Sequence, residues 1–224
     1  AIVGKYRKAK FSYPGGCEIG SRPIDLHLKG FEKLGINIKE EYGEIICNTE
    51  KIIGTQIHLD FPSVGATENI ILASCLADGN TILTNAAKEP EIEDLVKFLN
   101  KAGAKIKGAG TDRIEIIGVN RLSEISYNIM PDRIETGTYL VAGAITNGNI
   151  KLLNVNSKHI EPILNKLDEV NCKLNISNNE IEIIAPKRVK AVDIKTMPYP
   201  GFPTDMQSIF GALLITAKGT SVIT

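Results

Sequence analysis

Apolar positions along the chain fall into recurring patterns. Three segments share a polar loop, a helix of small and apolar residues, a glycine turn and a β-branched strand. They run from Ser63-Val64-Gly65-Ala66-Thr67 to Gly79-Asn80-Thr81-Ile82-Leu83, from Pro131-Asp132-Arg133 to Gly148-Asn149-Ile150, and from Pro200-Gly201-Phe202-Pro203-Thr204-Asp205 to Gly219-Thr220-Ser221-Val222-Ile223. The turn glycines Gly79, Gly148 and Gly219 stand 69 and 71 residues apart. A second helix recurs at Leu28 to Leu34, Leu95 to Ala102 and Ile163 to Val170, closed by Gly35, Gly103 and Asn171 at spacings of 68 and 68. Its apolar residues (Leu95, Val96, Phe98, Leu99) fall at i, i+3, i+4, which predicts an amphipathic helix with one buried stripe. Strand pairs follow, ending in Glu44-Ile45-Ile46-Cys47, Arg113-Ile114-Glu115-Ile116-Ile117 and Glu180-Ile181-Glu182-Ile183-Ile184. Polar and apolar residues alternate there, so one face of each sheet is core.

The repeat is therefore about 68 residues of strand–helix–strand–helix–strand–strand. It is too large and too mixed for a solenoid repeat. Three such units would close around a pseudo-threefold axis. The chain holds two full units and partial ones at each end. It starts without Met and stops at Ser221-Val222-Ile223-Thr224, which reads as mid-strand, so the expectation is a piece of a longer protein.

Composition narrows the function classes. The 224 residues are 43% apolar and 23% charged, an ordinary globular composition. Lys+Arg 26 balances Asp+Glu 26, which argues against general binding to nucleic acid or an acidic membrane. The longest mostly apolar stretch, Ile209 to Ala217, has nine residues, against about 20 for a membrane span. Cys17, Cys47, Cys75 and Cys172 show no C-x-x-C spacing and do not suggest zinc. Three of them sit in apolar patterns and read as small buried hydrophobes in a reducing cytosol.

Cys17 differs. In Pro14-Gly15-Gly16-Cys17-Glu18-Ile19-Gly20-Ser21-Arg22-Pro23-Ile24-Asp25 glycines surround it, so it reads as a reactive thiol on an exposed loop or as an incidental surface cysteine. Arg22 either grips a phosphate or carboxylate or is a solvated charge. Ser63-Val64-Gly65-Ala66-Thr67 reads as a helix start capped by Ser63 or Thr67, whose free N–H groups could bind phosphate. Asp205 follows a stiff Pro-Gly-x-Pro loop at a helix start and is either a cap or an aimed base. His27, His58 and His159 share no spacing; His27 alone lies close to a candidate loop.

Together these loops resemble the enolpyruvyl transferase family, in particular the branch that acts on UDP-N-acetylglucosamine. The resemblance rests on Pro14-Gly15-Gly16-Cys17, Ile19-Gly20, Arg22-Pro23 and Asp25-Leu26-His27, on Ser63 to Thr67, Lys88-Glu89-Pro90-Glu91-Ile92, Gly110-Thr111-Asp112-Arg113-Ile114 and Pro131-Asp132-Arg133-Ile134-Glu135-Thr136-Gly137-Thr138, and on Pro200 to Gln207, all in order. It implies an α/β (α+β) fold of two domains, each an inside-out α/β barrel of βαβαββ units. Residues 1–127 would be the last two repeats of the first barrel and residues 128–224 the first part of the second.

The implied reaction moves the enolpyruvyl group of phosphoenolpyruvate to the 3-hydroxyl of UDP-N-acetylglucosamine, in the cytoplasm, as the first committed step of peptidoglycan synthesis. Cys17 matches the acid that protonates C3 of phosphoenolpyruvate; a thiol near its ordinary pKa of about 8.5 is mostly protonated at neutral pH. Asp205 matches the base for the sugar hydroxyl, and Arg22 a phosphoenolpyruvate ligand. Pro23, Ile24, Asp25, Leu26 and His27, with Ser63, Val64 and Gly65, match the uridine and diphosphate pocket. No cofactor and no metal are implied, since arginines and lysines supply the positive field.

Two departures stand out. Phe61 occupies a position where some members carry Lys, and the family's N-terminal Lys-Asn pair and a later arginine fall outside these 224 residues, so the chain alone is expected to be inactive. The alternatives are a shikimate-pathway enolpyruvyl transferase, which lacks the cysteine loop, and a non-catalytic nucleotide-sugar-binding module, which needs neither Cys17 nor Asp205.

Overall fold

The computed structural model describes residues 1–13 and 24–224. The chain divides into two compact units, Ala1–Asn128 and Ile129–Thr224.

The first unit contains α1 (Ile2–Tyr6), β1 (Lys8–Ser12), α2 (Asp25–Lys33), β2 (Asn37–Glu41) and β3 (Glu44–Asn48), then β4 (Gln56–His58), α3 (Val64–Ser74), β5 (Asn80–Thr84), α4 (Pro90–Lys101), β6 (Lys105–Lys107) and β7 (Arg113–Ile117). From β4 to β7 this is one complete βαβαββ repeat. Its sheet has the order β4-β5-β7-β6, with β4 parallel to β5 and the other pairs antiparallel. The segment before it supplies a three-stranded sheet, β1-β3-β2.

The second unit contains α5 (Arg133–Ile145), β8 (Asn149–Leu153), α6 (Glu161–Glu169), β9 (Lys173–Ser177), β10 (Glu180–Ile184) and α7 (Gln207–Ile215). Its sheet order, β8-β10-β9, repeats β1-β3-β2. Beyond it, Lys190 and Ile194 bridge in parallel to Lys218 and Ile223, as Ile53 does to Asp78 beside β4 and β5. The Ser221–Thr224 segment, read as strand from its β-branched residues, thus makes a single parallel bridge at Ile223 rather than a regular strand among the described residues.

The two helix types differ as their sequences require. Helix α4 opens with Pro90 at its start and Glu91 and Glu93 in the first turn, and closes with Lys101, all favourable to the helix dipole. It buries only Pro90, Ile92, Val96 and Leu99. Helix α3 buries Ala66, Thr67, Ile70, Ile71, Ala73 and Ser74, more than one stripe, and packs against α1, α2 and α4. The strands β3, β7 and β10 send alternate residues into the core: Ile45 and Cys47, Ile114 and Ile116, Ile181 and Ile183, none more than 1% exposed. Each unit has its own hydrophobic core.

Turn chemistry follows the repeat with one shift. Gly35, Gly103 and Asn171, after the second helices, all have positive φ (81°, 102° and 71°). After the first helices, Gly79 and Gly219 are left-handed (87° and 118°), but beside Gly148 it is Asn147, at 54°, that makes the turn. Asparagine tolerates that region because its short amide bonds locally. Among the described residues no helix is long and apolar enough to cross a membrane.

Candidate functional site

In the first unit the site is built on the N-termini of α2 and α3. The helices pack closely because Gly30 faces Ile70: a Cβ on Gly30 would stand 2.6 Å from Ile70 Cδ1. One turn earlier His27 faces Gly65, where a Cβ would stand 3.1 Å from His27 Cε1. Contacts that rise together along both helices mean that the two run in the same direction. Their positive ends therefore lie side by side, an arrangement that favours an anion.

Ser63 caps α3, its Oγ accepting from the Ala66 N–H at 3.3 Å. Thr67, the other residue considered as cap, is fully buried, and its Oγ1 accepts from the Ala87 N–H at 3.1 Å, tying α3 to the start of α4. Val64 and Gly65 form the first turn and are half-buried. Ile24 is the N-cap position of α2, with Asp25, Leu26 and His27 in the first turn.

His27 is oriented by Asn69. The Asn69 amide nitrogen donates to Gly65 O at 2.9 Å and lies 3.4 Å from His27 Nδ1. A donor facing Nδ1 makes that nitrogen the acceptor and puts the ring proton on Nε2. Burial holds the imidazole pKa below its ordinary 6.5, against the opposing charge of Asp25. The ring is thus a neutral Nε2–H donor. Sequence reading missed Asn69; its one signal is the i+4 spacing from Gly65.

An open groove of about 510 Å³ adjoins this end of the unit, lined by Leu26, Lys29, Gly30, His58 and Asp60 among others. Lys29 and Asp60 pair across it at 3.0 Å. Phe61 is 56% exposed. Glu68, Glu89 and Glu91 gather near the starts of α3 and α4; burial first, then the charges of Glu91 and Glu89, raise the Glu68 carboxyl pKa. Among the described residues no group of three or more His, Cys, Asp or Glu is placed to hold a metal ion.

In the second unit Asp205 lies in the 3-10 turn Thr204–Met206 that opens α7. Its side chain is exposed and makes no cap hydrogen bond. The turn is closed instead by the backbone, Met206 N–H donating to Pro203 O at 3.1 Å. Phe202 anchors the preceding loop edge-on to Phe210, with ring centroids 5.5 Å apart. Gly201 sits where a Cβ would come 2.5 Å from Met197 Cβ, so only glycine fits without displacement. Asp205 is held out to solvent on a stiff support, not spent on capping.

Cys47, Cys75 and Cys172 are buried. Burial raises all three thiol pKa values, Cys75 and Cys172 to about 11. Cys17, Arg22 and Pro23 lie outside the described residues. The structure brings together Ile24, Asp25, Leu26 and His27 with Ser63, Val64 and Gly65 in the first unit, and places Asp205 in the second.

The family profile of EPSP synthase (3-phosphoshikimate 1-carboxyvinyltransferase) matches residues 1–224. Two UDP-N-acetylglucosamine 1-carboxyvinyltransferases are similar in sequence. One, numbered 2, from Caldanaerobacter subterraneus subsp. tengcongensis, is 55% identical over 225 residues, covering 100% of this chain and 54% of the relative. Another, from Clostridium tetani, is 52% identical over 223 residues, covering 100% and 54%. The chain thus spans about half the length of the curated relatives it matches. Among solved structures, the enolpyruvyl transferase NikO from Streptomyces tendae superposes with a TM-score of 0.81 at 18% identity, over 99% of this chain and 55% of that one. EPSP synthase from Acinetobacter baumannii gives 0.68 at 22%, over 97% and 51%. These two likenesses concern the fold, the inside-out α/β architecture of repeated βαβαββ units. With the profile matched from end to end and the repeat visible in both units, the chain belongs to the EPSP synthase family of carboxyvinyltransferases, the enolpyruvyl transferases.

Proposed function

We propose that the complete gene product transfers the enolpyruvyl group of phosphoenolpyruvate to the 3-hydroxyl of UDP-N-acetylglucosamine and releases phosphate. The observation that carries this reading is the 52–55% identity, across the whole chain, to relatives named for that acceptor. Residues 1–127 are read as the last two repeats of a first barrel and residues 128–224 as the start of a second.

Each side chain has a part in the proposed reaction. The paired N-termini of α2 and α3 receive the diphosphate, with backbone N–H groups of Ser63, Val64 and Gly65 as donors. Residues Pro23 to Leu26 hold the uridine, and neutral His27 presents Nε2–H beside them. Arg22 grips phosphoenolpyruvate. Asp205 takes the proton from the sugar 3-hydroxyl as its oxygen bonds to C2 of phosphoenolpyruvate. Cys17 delivers a proton to C3, giving a tetrahedral phosphate ketal. In the second half C3 loses a proton, the C2–O bond to phosphate breaks, and the enol ether and phosphate leave. Peptidoglycan synthesis in the cytoplasm is the setting proposed.

Asp205 offers the test. Asn caps helices about as well as Asp, and the Asp205 carboxylate makes no cap bond in any case. Asp205→Asn in the complete gene product is therefore expected to leave thermal stability nearly unchanged. Removal of a general base costs about 10²–10⁴-fold in rate, so phosphate release should fall at least about 100-fold. Unchanged turnover would leave the proposed mechanism without its base.

A further inference from the structure

We propose that Arg133 and Tyr199 are positioning residues that set the aim of Asp205. The proposal rests on reading Asp205 as the base.

Arg133 is buried where α5 begins. It is the first residue of α5, at the positive end of the helix, and is 8% exposed. A cation there loses its hydration and is held by partners. The neighbouring Asp132 carboxylate is engaged in capping: its Oδ1 accepts the N–H groups of Ile134 and Glu135 at 2.7 and 3.0 Å. The guanidinium lies over the Tyr199 ring, its central carbon 5.8 Å from the centroid. A planar guanidinium gains from an aromatic face in a way that an ammonium does not match.

Tyr199 opens the loop that ends at Asp205, and the loop is coupled turn by turn. Met197 N–H donates to Phe202 O at 2.9 Å, Gly201 N–H to Pro198 O at 2.8 Å, and Met206 N–H to Pro203 O at 3.1 Å. Farther along, Phe202 is pinned to Phe210 of α7, and fully buried Met206 fits against Gly137 of α5, where a Cβ would stand 3.0 Å from its Sδ. These later anchors fix the core side of the loop. The stack on Arg133 fixes its Tyr199 end against the start of α5, so the exposed carboxylate projects from a segment held at both ends. Misplacement of a reacting group by about 1 Å costs up to roughly 10²-fold in rate, so loosening one end has a measurable cost without removing any chemical group.

The test compares Tyr199→Leu, Tyr199→Phe, Arg133→Lys, Asp205→Asn and the double variant Tyr199→Leu/Asp205→Asn in the complete gene product. Turnover, KM for both substrates and thermal stability are read for each. Tyr199→Leu should lower kcat about 10-fold, with both KM values within about twofold. Tyr199→Phe keeps the ring and should restore kcat. Arg133→Lys keeps the charge and loses the plane, and should lower kcat in the same sense as Tyr199→Leu. Placed on Asp205→Asn, Tyr199→Leu should cost nothing further, because it acts through the carboxylate. Unchanged kcat in Tyr199→Leu overturns the proposal, as does an equal loss on the Asp205→Asn background. Should Tyr199→Leu fail to fold, normal kcat in Arg133→Lys overturns it equally. Full activity in Asp205→Asn sinks the base reading and the positioning role together, whereas impaired Asp205→Asn with normal Tyr199→Leu sinks positioning alone.

Discussion

His27 shows how one residue's surroundings decide its chemistry. Its neighbours Gly65 and Asn69 are about 40 positions away in sequence, so nothing local to Asp25-Leu26-His27 announced the contact. What was legible was that His27 lies near a candidate loop; its tautomer came only from the Asn69 amide. The depressed pKa has a thermodynamic consequence. Burial places the folded value below 6.5, so between the two values the unfolded chain binds more protons than the folded one. Stability linked to His27 is therefore complete above the unfolded pKa and is lost as pH falls toward the folded one. Melting temperatures of the complete gene product and of His27→Gln, compared from about pH 7.5 to about pH 5.5, should show the larger loss on acidification in the unmodified protein. Parallel curves would mean that His27 titrates alike in both states. At Asp205 the sequence left two uses open, cap or base; the side chain is exposed, and the Asp205→Asn variant decides between them.

Helices and hairpins were legible to the extent that their side-chain periods were clean. The amphipathic α2, α4 and α6 and the alternating β3, β7 and β10 follow the apolar spacing because each buries one face. The first elements escaped notice. In α1 and β1 the turn residue is Arg7, left-handed at φ 61° and donating to Gly4 O and Leu76 O, so the glycine that marks the other repeats is absent. The packing of α2 on α3 was also invisible, since it depends on the lack of a side chain at Gly30. Gly30→Ala would drive a methyl toward Ile70. Overpacking of this kind costs about 1–3 kcal/mol. Thermal melting should register that loss, and KM for the nucleotide sugar should rise as the two helix N-termini separate. Unchanged stability and KM would mean that the tip of Ile70 simply swings aside and that the helix pair tolerates the added volume.

At the scale of the molecule, self-similarity was the most informative signal. One repeat is complete from β4 to β7, and the second unit reproduces both the three-stranded sheet and the parallel bridges of the first. Such regularity identifies the architecture but not the acceptor, because the enolpyruvyl transferase NikO and EPSP synthase share the fold at only 18–22% identity. The central claim is therefore the choice of acceptor, and it is tested by incubating the complete gene product with phosphoenolpyruvate and either UDP-N-acetylglucosamine or 3-phosphoshikimate. Mass spectrometry of the acceptors reads the result directly. The account predicts that the nucleotide sugar alone gains the mass of one enolpyruvyl group, with one phosphate released for each transfer; addition to 3-phosphoshikimate instead, or to neither acceptor, would contradict it.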